Sequence, residues 1–175
     1  SVEAARNVGS LWTITRANLP AMESLGLDLR RVRICPHGID PSQVPPPCTE
    51  KDMAKLVTIA RLEVNKGVDD AVRAFAAVAV RFRAASLTII GEGPDRARLE
   101  ELVASLGLRG RVVFTGGIGH SLVYDHLRTA SVLLLLSRSP AERLPNAVKE
   151  AMACRCLCIV TQTPGIEELL APVVN

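Results

Sequence analysis

Two glutamates and a proline-containing turn form the segment of this chain that is best suited to chemistry. In SPAERLPNAVKEAMAC (139–154), Glu142 and Glu150 flank a Leu-Pro-Asn turn. Pro145 suits the first turn of a helix, so the pattern predicts a helix that begins there. Free N–H groups at a helix start, here near Asn146, can bind an anion. Glu150 would lie about 6 Å further along the axis, where a carboxylate can accept two hydrogen bonds from a vicinal diol such as a ribose. Glu142 would face the other side of the anion, within reach of sugar hydroxyls.

Two cations in an earlier loop complement these carboxylates. In IARLEVNKG (59–67), Arg61 follows an apolar run and Lys66 precedes a glycine and a helical pattern. An arginine fork and a lysine point charge can together neutralise a diphosphate. With the glutamates, they outline a site for ribose, diphosphate and sugar, which are the parts of a nucleotide sugar. The alternative is that all four side chains are ordinary solvated surface charges.

A glycine-containing turn follows the next apolar run. In IIGEGPDR (89–96), Gly91 and Gly93 permit close approach of a ligand to the backbone. The third glycine of the dinucleotide fingerprint G-x-G-x-x-G is absent, because Arg96 stands in its place. The turn therefore argues against an NAD site. A tight turn that ends in a proline at the first helical position explains it equally well.

The elements that must position these residues alternate along the chain. Short apolar runs occupy 11–15, 32–35, 56–60, 86–90, 111–114, 131–136 and 156–161. The later runs are apolar at consecutive positions, which predicts strands covered on both faces, as in a parallel sheet. Helical patterns lie between them at 67–82, 94–107, 120–130 and 145–153, and one more begins at 165. We therefore expect an α/β fold with a doubly wound parallel sheet, whose ligands bind beyond the carboxyl ends of the strands.

Two of the helical patterns have a defined apolar face. The first places its apolar residues on one side, namely Val68, Val72, Phe75, Ala79 and Phe82. The second starts at Pro94 and stops at Gly107, which is the usual arrangement of helix-starting and helix-ending residues. Its stripe consists of Leu99, Leu102, Val103 and Leu106.

Composition excludes several classes of function. The 175 residues are 48% apolar, which is enough for a buried core. Aromatic residues make up only 3%, and the formal charge of +3 comes from scattered basic residues, so nucleic acid is not an expected partner. The apolar run 132–136 is the length of a strand, and no apolar run is long enough to span a membrane.

The cysteines do not have the spacing of a metal site. Three of the five form C-R-C-L-C at positions 154, 156 and 158, and no histidine or second cysteine pair lies at zinc-ligand spacing. We expect them to be small buried side chains. The odd count favours a reducing compartment.

A proline-rich segment divides the chain. PHGIDPSQVPPPCTE (36–50) has the composition of a linker. Residues 1–35 contain only strand, helix and strand, which suggests the tail of a preceding domain. Residues 51–175 form the main α/β domain, which stops without a closing element. We therefore expect a fragment truncated at both ends.

Five stretches, in order, carry a resemblance to a known family. They are PHGID, ARLEVNKG, IIGEGPDRARLEELVASLGL, RVVFTGGI and AERLPNAVKEAMAC. They resemble the linker N-G-V-D, the G-R-L-x-x-x-K-G loop, the G-x-G-P unit, the V-x-F-x-G loop and the E-x7-E motif of retaining GT-B glycosyltransferases of family 4. The chain is similar to the C-terminal, donor-binding half of such enzymes, which is Rossmann-like. SLWTITRANLPAMESLGL (10–27) resembles the end of the acceptor domain.

The resemblance assigns expected roles to individual residues. Arg61 and Lys66 would contact the donor diphosphate, and Glu142 would face the transferred sugar as the catalytic residue. Glu150 would bind the ribose. The remaining expected contacts are Arg143, Leu144, Pro145 and Asn146 for the phosphates, and Gly116, Gly117 and Ile118 for the base. No metal is expected, since cations and a helix dipole would stabilise the leaving diphosphate.

The resemblance also implies partners and a location. They are a nucleoside diphosphate sugar, an N-terminal acceptor domain outside this chain, and a saccharide or lipid-linked acceptor. The location would be cytoplasmic, with a peripheral position at the inner membrane if the acceptor is a lipid. The fragment alone would bind nucleotide weakly and would not turn over.

Three residues depart from the family pattern. Arg143 stands where the family has glycine, so its side chain could crowd the phosphate or add a cation to it. Arg155 replaces a second glycine, and His37 replaces the linker asparagine. Two alternative functions therefore stay open: a nucleotide-sugar epimerase of the same architecture, and a non-catalytic binding module. His120 and His126 are expected to be surface groups.

Overall fold

The computed structural model describes residues 2–46, 48 and 51–170. The chain divides into two compact units. The first consists of 1–38, 140–145 and 162–175, and the second of 39–139 and 146–161.

The first unit is built around a short parallel pair of strands. Its elements are α1 (Val2–Asn7), β1 (Leu11–Thr13), α2 (Leu19–Ser24) and β2 (Val32–Ile34). Leu11 pairs with Val32 and Thr13 with Ile34. Both strands coincide with apolar runs in the sequence.

A threonine connects two segments of this first unit. Thr15 caps a 3-10 turn by accepting from the N–H of Ala17, and its hydroxyl donates to the carboxylate of Glu168. Glu168 belongs to a 3-10 turn, Ile166–Glu168. This single turn stands where the sequence predicts the start of a longer helix, and the rest of that prediction lies outside the described residues.

The second unit is a five-stranded parallel sheet with helices on both faces. Its strands are β3 (Asp52–Ile59), β4 (Ser86–Ile90), β5 (Val112–Gly116), β6 (Ala130–Leu135) and β7 (Leu157–Val160). Its helices are α3 (Val68–Arg81), α4 (Arg96–Ser105), α5 (His120–Thr129) and α6 (Asn146–Ala153). The strand order is β5-β4-β3-β6-β7, and every pairing is parallel. The predicted doubly wound α/β sheet is confirmed.

The order of the strands places a switch point between β3 and β6. From β3 the chain proceeds outward to β4 and β5, and later returns to the other side of β3 to form β6 and β7. Parallel crossovers are right-handed, so the two directions put α3 and α4 on one face and α6 on the other. A crevice therefore opens at the carboxyl ends of β3 and β6, where ligands bind in sheets of this kind.

The core lies mainly between the sheet and the helices α3 and α4. Phe75 and Val72 of α3 are fully buried against Leu87 and Ile89 of β4, with Leu99 of α4 beside them. The predicted face of α3 is correct except at its end. Phe82 is 62% exposed, because the helix stops at Arg81 and Phe82 is its C-cap.

The expectation that the later strands are covered on both faces is wrong for β7. Leu157 and Ile159 are 64% and 47% exposed. In the described part of the chain, β7 is the last strand of the sheet. Ile159 lines an open apolar groove of about 770 Å³. The groove lies between α3 and the face of β6 that is turned toward α3. No described helix crosses this groove, because α6 packs against the opposite face.

Candidate functional site

The loop after β3 lies at the switch point and is held firmly at its centre. Leu62 is fully buried, and its N–H donates to the carbonyl of Glu92 over 2.8 Å. Arg61 points outward, with 72% of its side chain exposed, and pairs with Glu63 over 2.7 Å. Lys66 ends the 3-10 turn Val64–Lys66 and is half-buried. The loop therefore presents an exposed cation at its start and a more restricted one at its end.

Gly67 is required where this loop meets the end of β6. Its φ is +62°, and a Cβ placed on it would lie 1.9 Å from the carbonyl oxygen of Leu136. Only glycine accommodates both this backbone conformation and this close approach. The two loops that flank the crevice are therefore in direct backbone contact.

Arg138 connects the same two loops by hydrogen bonds. Its N–H donates to the carbonyl of Asn65 over 2.8 Å, and its Nη1 donates to the carbonyl of Val64 over 2.9 Å. Its Nη2 lies 3.0 Å from Asp69 and 2.6 Å from Asp70, both in the first turn of α3. Burial raises the pKa of Asp69, but the hydrogen bond and charge of Arg138 lower it further, so the pKa stays below its usual value. Arg138 thus fixes the backbone that carries Lys66.

The glycines after β4 serve packing between loops. A Cβ on Gly91 would lie 1.9 Å from the carbonyl oxygen of Ala60, and one on Gly93 would lie 2.3 Å from that of Leu62. This close contact supports the tight-turn interpretation of IIGEGPDR over a dinucleotide fingerprint. The turn supports the loop that carries Arg61.

The loop after β5 is lined by a carboxylate that the sequence did not single out. Gly116 is buried with φ +73°, Gly117 is exposed and Ile118 is half-buried. The side chain of Glu92 covers the two glycines, with its Oε1 2.7 Å from a Cβ placed on Gly116. A base that entered here would meet backbone and a carboxylate.

Helix α6 carries the most unusual charge of the second unit. Asn146 begins the helix and is exposed, whereas Val148 and Ala151 are fully buried. Glu150 is only 5% exposed, although it sits one turn from the helix start. A carboxylate is seldom buried without a partner. Glu150 is therefore not the solvated surface charge that the sequence left open as an alternative.

His120 is that partner. Its Nε2 lies 2.9 Å from Oε1 of Glu150. Its ring stacks on the buried ring of Tyr124, with centroids 5.3 Å apart and an angle of 16°. Burial, and next the charge of Glu150, raise the pKa of Tyr124. His120 is exposed, as expected of a surface group, but it also forms a hydrogen bond with Glu150 that was not predicted. The interaction could not be predicted from the sequence, because it joins two separate helices. Their proximity depends on how the chain crosses the sheet before and after β6.

The remaining expected site residues lie in the 140–145 segment of the first unit. Glu142, Arg143 and Pro145 are half-buried, and Leu144 is 4% exposed. Nη1 of Arg143 donates to the carbonyl of Pro164 over 3.2 Å. The guanidinium, which replaces the family glycine, is therefore bonded within its own unit.

The cysteines after α6 are packed as small side chains. Cys154 and Cys156 are buried, and Sγ of Cys156 accepts from Nζ of Lys51 over 3.3 Å. Burial raises the pKa of Cys158 to about 11. Among the residues that the structure describes, no group of three or more histidines, cysteines or carboxylates is arranged to hold a metal ion. The described helices are all too short or too polar to cross a bilayer.

Comparison with solved structures identifies the fold. The chain superposes on the Anabaena protein Alr3699/HepE, crystallised with UDP-glucose, with a TM-score of 0.83 and 19% identity over 99% of this chain and 50% of that one. It also matches the C-terminal domain of a glycosyl transferase group 1 family protein (LpcC) from Francisella tularensis, with a TM-score of 0.66 and 22% identity over 77% of this chain and 76% of that one. The fold is that of the C-terminal domain of a GT-B glycosyltransferase, as the sequence motifs predict.

Sequence comparison gives the family. The profile described as "Glycosyl transferases group 1" matches residues 46–175, so the chain belongs to this family. The chain is 30% identical over 147 residues to a phosphatidylinositol N-acetylglucosaminyltransferase of Arabidopsis thaliana, which covers 83% of this chain and 32% of that protein. It is 34% identical over 115 residues to N-acetyl-alpha-D-glucosaminyl L-malate synthase of Bacillus anthracis, which covers 66% of this chain and 29% of that protein. The chain thus spans about a third of the length of these relatives.

Proposed function

We propose that this chain binds the donor of a retaining glycosyltransferase, which transfers a sugar from a nucleoside diphosphate sugar to an acceptor. The observation that carries the proposal is Glu150, a buried carboxylate in the first turns of α6 that is bonded to His120. A carboxylate in this position is suited to a ribose diol, since each of its oxygens can accept two hydrogen bonds.

The diphosphate would be bound by charges and amides at the carboxyl edge of the sheet. Arg61 is exposed and its pair with Glu63 is open to solvent, so the guanidinium can turn to a phosphate at little cost. Lys66 stands on a backbone fixed by Arg138. The N–H groups of Leu144 and Asn146, at the start of α6, would add a partial positive charge. Together they would stabilise the diphosphate without a metal ion as it leaves.

The reaction breaks the bond between the anomeric carbon and the diphosphate oxygen. A bond from an acceptor oxygen forms on the same face of the sugar, and the proton of the acceptor hydroxyl passes to the departing diphosphate oxygen. We assign Glu142 to the transferred sugar and Arg143 to the adjoining phosphate. We assign Gly116, Gly117 and Ile118 to the base, where the backbone of a short loop can follow a flat ring.

The rest of the enzyme lies outside this chain. We propose that residues 1–35 end the acceptor domain, that 36–50 link it to the donor domain, and that 51–175 form most of the latter. The acceptor would be a saccharide or a lipid-linked acceptor, and the enzyme would be cytoplasmic, at the inner membrane when the acceptor is a lipid. One similar protein is named for transfer to phosphatidylinositol, which is an acceptor of this second kind. We do not expect nucleic acid as a partner.

Calorimetry with UDP, GDP and ADP tests donor binding directly. We expect one of the three to bind, and Glu150→Ala to weaken that binding at least tenfold, since a carboxylate that hydrogen-bonds a ribose contributes about 1.5–3 kcal/mol. Glu101→Ala is the matched control, because Glu101 is an exposed helix carboxylate on α4. If no nucleotide gives heat, or if the two variants behave alike, the proposed site is wrong.

The two other functions give different products or none. A nucleotide-sugar epimerase would convert the donor into its epimer in the absence of an acceptor, and NMR of the full-length protein with its donor detects this. A binding module would show neither product. Arg143 favours the binding module, because the family has glycine there. If Arg143→Gly tightens donor binding and creates no turnover in the full-length protein, the binding module replaces the enzyme.

A further inference from the structure

The contact between His120 and Glu150 restrains one of the two oxygens of a buried carboxylate. A carboxylate only accepts hydrogen bonds, so Nε2 of His120 must carry the proton that points to Oε1. Within the described residues, the carboxylate of Glu150 has no other hydrogen-bond partner. Its Oε2 is also not among their fully buried unpaired atoms, so Oε2 reaches the surface. The carboxylate therefore has one restrained oxygen and one oxygen that is open to a ligand.

The surroundings hold the imidazole in place. His120 is the first residue of α5, and Tyr124 lies one turn later on the same side of the helix. The tyrosine is 3% exposed, and its ring lies almost parallel to the imidazole. The outer part of His120 faces solvent, with 57% of the side chain exposed. The histidine is thus supported by a buried ring on one side and accessible on the other.

We propose that His120 is the residue that positions Glu150 for recognition of the donor ribose. This inference rests on the proposed function. By occupying one lone pair of Oε1, His120 fixes the rotation of the carboxylate. The diol can then bind Oε2 and the second lone pair of Oε1 at the same time. Without His120 the carboxylate would rotate toward solvent, and the two hydroxyls would lose their matched acceptors.

The experiment separates this role from general support of the fold. Nucleotide affinity is measured for the one of UDP, GDP and ADP that binds tightest, and for its 2′,3′-dideoxy analogue, which lacks the diol. We expect His120→Leu to weaken binding of the ribonucleotide about tenfold, the scale of one hydrogen bond to a charged group. Binding of the dideoxy analogue should change less than twofold. His120→Gln retains an N–H donor and should keep most of the discrimination.

His126→Leu is the matched control, because His126 lies on the same helix and is half-buried. It should leave both affinities unchanged. If His120→Leu weakens both nucleotides equally, or neither, the positioning role is wrong. Thermal unfolding of each variant shows whether the fold is retained, and a variant that unfolds is replaced by His120→Asn in the same comparison.

Glu150→Gln distinguishes failure of this inference from failure of the proposed function. If Glu150→Gln abolishes the preference for ribose while His120→Leu does not, Glu150 binds the diol without help, and only the role of His120 falls. If Glu150→Gln also keeps the preference, the ribose site itself is wrong, and both proposals fail together.

Discussion

The contact between Gly67 and the end of β6 allows a sharp test of how the crevice is built. Gly67 has φ +62°, and an added Cβ would lie 1.9 Å from the carbonyl oxygen of Leu136. Gly107 has nearly the same φ, +67°, but nothing lies within 4 Å of a Cβ placed there. The two glycines therefore share a backbone conformation and differ only in the room that is available for a Cβ atom.

The expected costs follow from this difference. An alanine in the left-handed region costs about 1–2 kcal/mol, and the stiffer unfolded chain returns roughly 0.4–1 kcal/mol of it. Gly107→Ala should therefore destabilise the chain by about 1 kcal/mol or less. Gly67→Ala must also displace a backbone carbonyl by more than an ångström, which adds roughly 1–3 kcal/mol, as in overpacked cores. Its total should be about 2–4 kcal/mol.

Urea unfolding followed by circular dichroism measures both values. The midpoint should fall clearly further for Gly67→Ala than for Gly107→Ala, with similar slopes. Gly67→Ala should also weaken nucleotide binding under conditions where the variant is folded, because the residue before it is Lys66. Equal destabilisation by the two substitutions would show that the loops do not meet as described.

Three further predictions concern other strained or buried groups. Arg155 has φ +61° and is not glycine, so Arg155→Gly should stabilise the chain by roughly 0.5–1 kcal/mol; a melting temperature that does not rise contradicts this. Burial raises the pKa of Asp69, but Arg138 lowers it by more, so the pKa lies below the ordinary value of 3.8. The ion pair between Asp69 and Arg138 therefore stabilises the folded chain fully above pH 3.8, and this stabilisation is lost as the pH falls through the folded-state pKa. Arg138→Met should therefore destabilise the chain at pH 6 and approach the wild type at the lowest pH; a constant difference refutes the linkage. Burial raises the pKa of Cys158 to about 11, so its thiolate fraction at pH 8 is about a hundredfold below that of an ordinary thiol; mass spectrometry after iodoacetamide should find Cys35, which is exposed, alkylated long before it.

The strands and the main helices were predictable because their signals are local. The apolar run 86–90 coincides with β4, and the stop at Gly107 follows the end of α4 directly. Gly107 has the left-handed conformation that a helix-ending glycine adopts. The buried position of Glu150 could also be predicted from the sequence, since the apolar residues around it have a helical period.

The supporting contacts were not predictable, because they depend on how separate elements meet. Arg138 is sixty-nine residues from Asp69, and no pattern in the sequence connects them. His120 and Glu150 are thirty residues apart on different helices. The exposed face of β7 was not predicted either, because here the local sequence signal is misleading. Its composition is that of a covered strand, and only the order of the sheet shows that it lies at an end.

The position of β7 governs how this chain will behave in concentrated solution. Among the described residues, one edge of β7 pairs with β6 and no strand pairs with the other edge, beside the exposed Leu157 and Ile159. Such a border accepts a strand from any neighbouring molecule. Self-association should therefore start there, and Leu157→Lys would discourage it without disturbing the crevice.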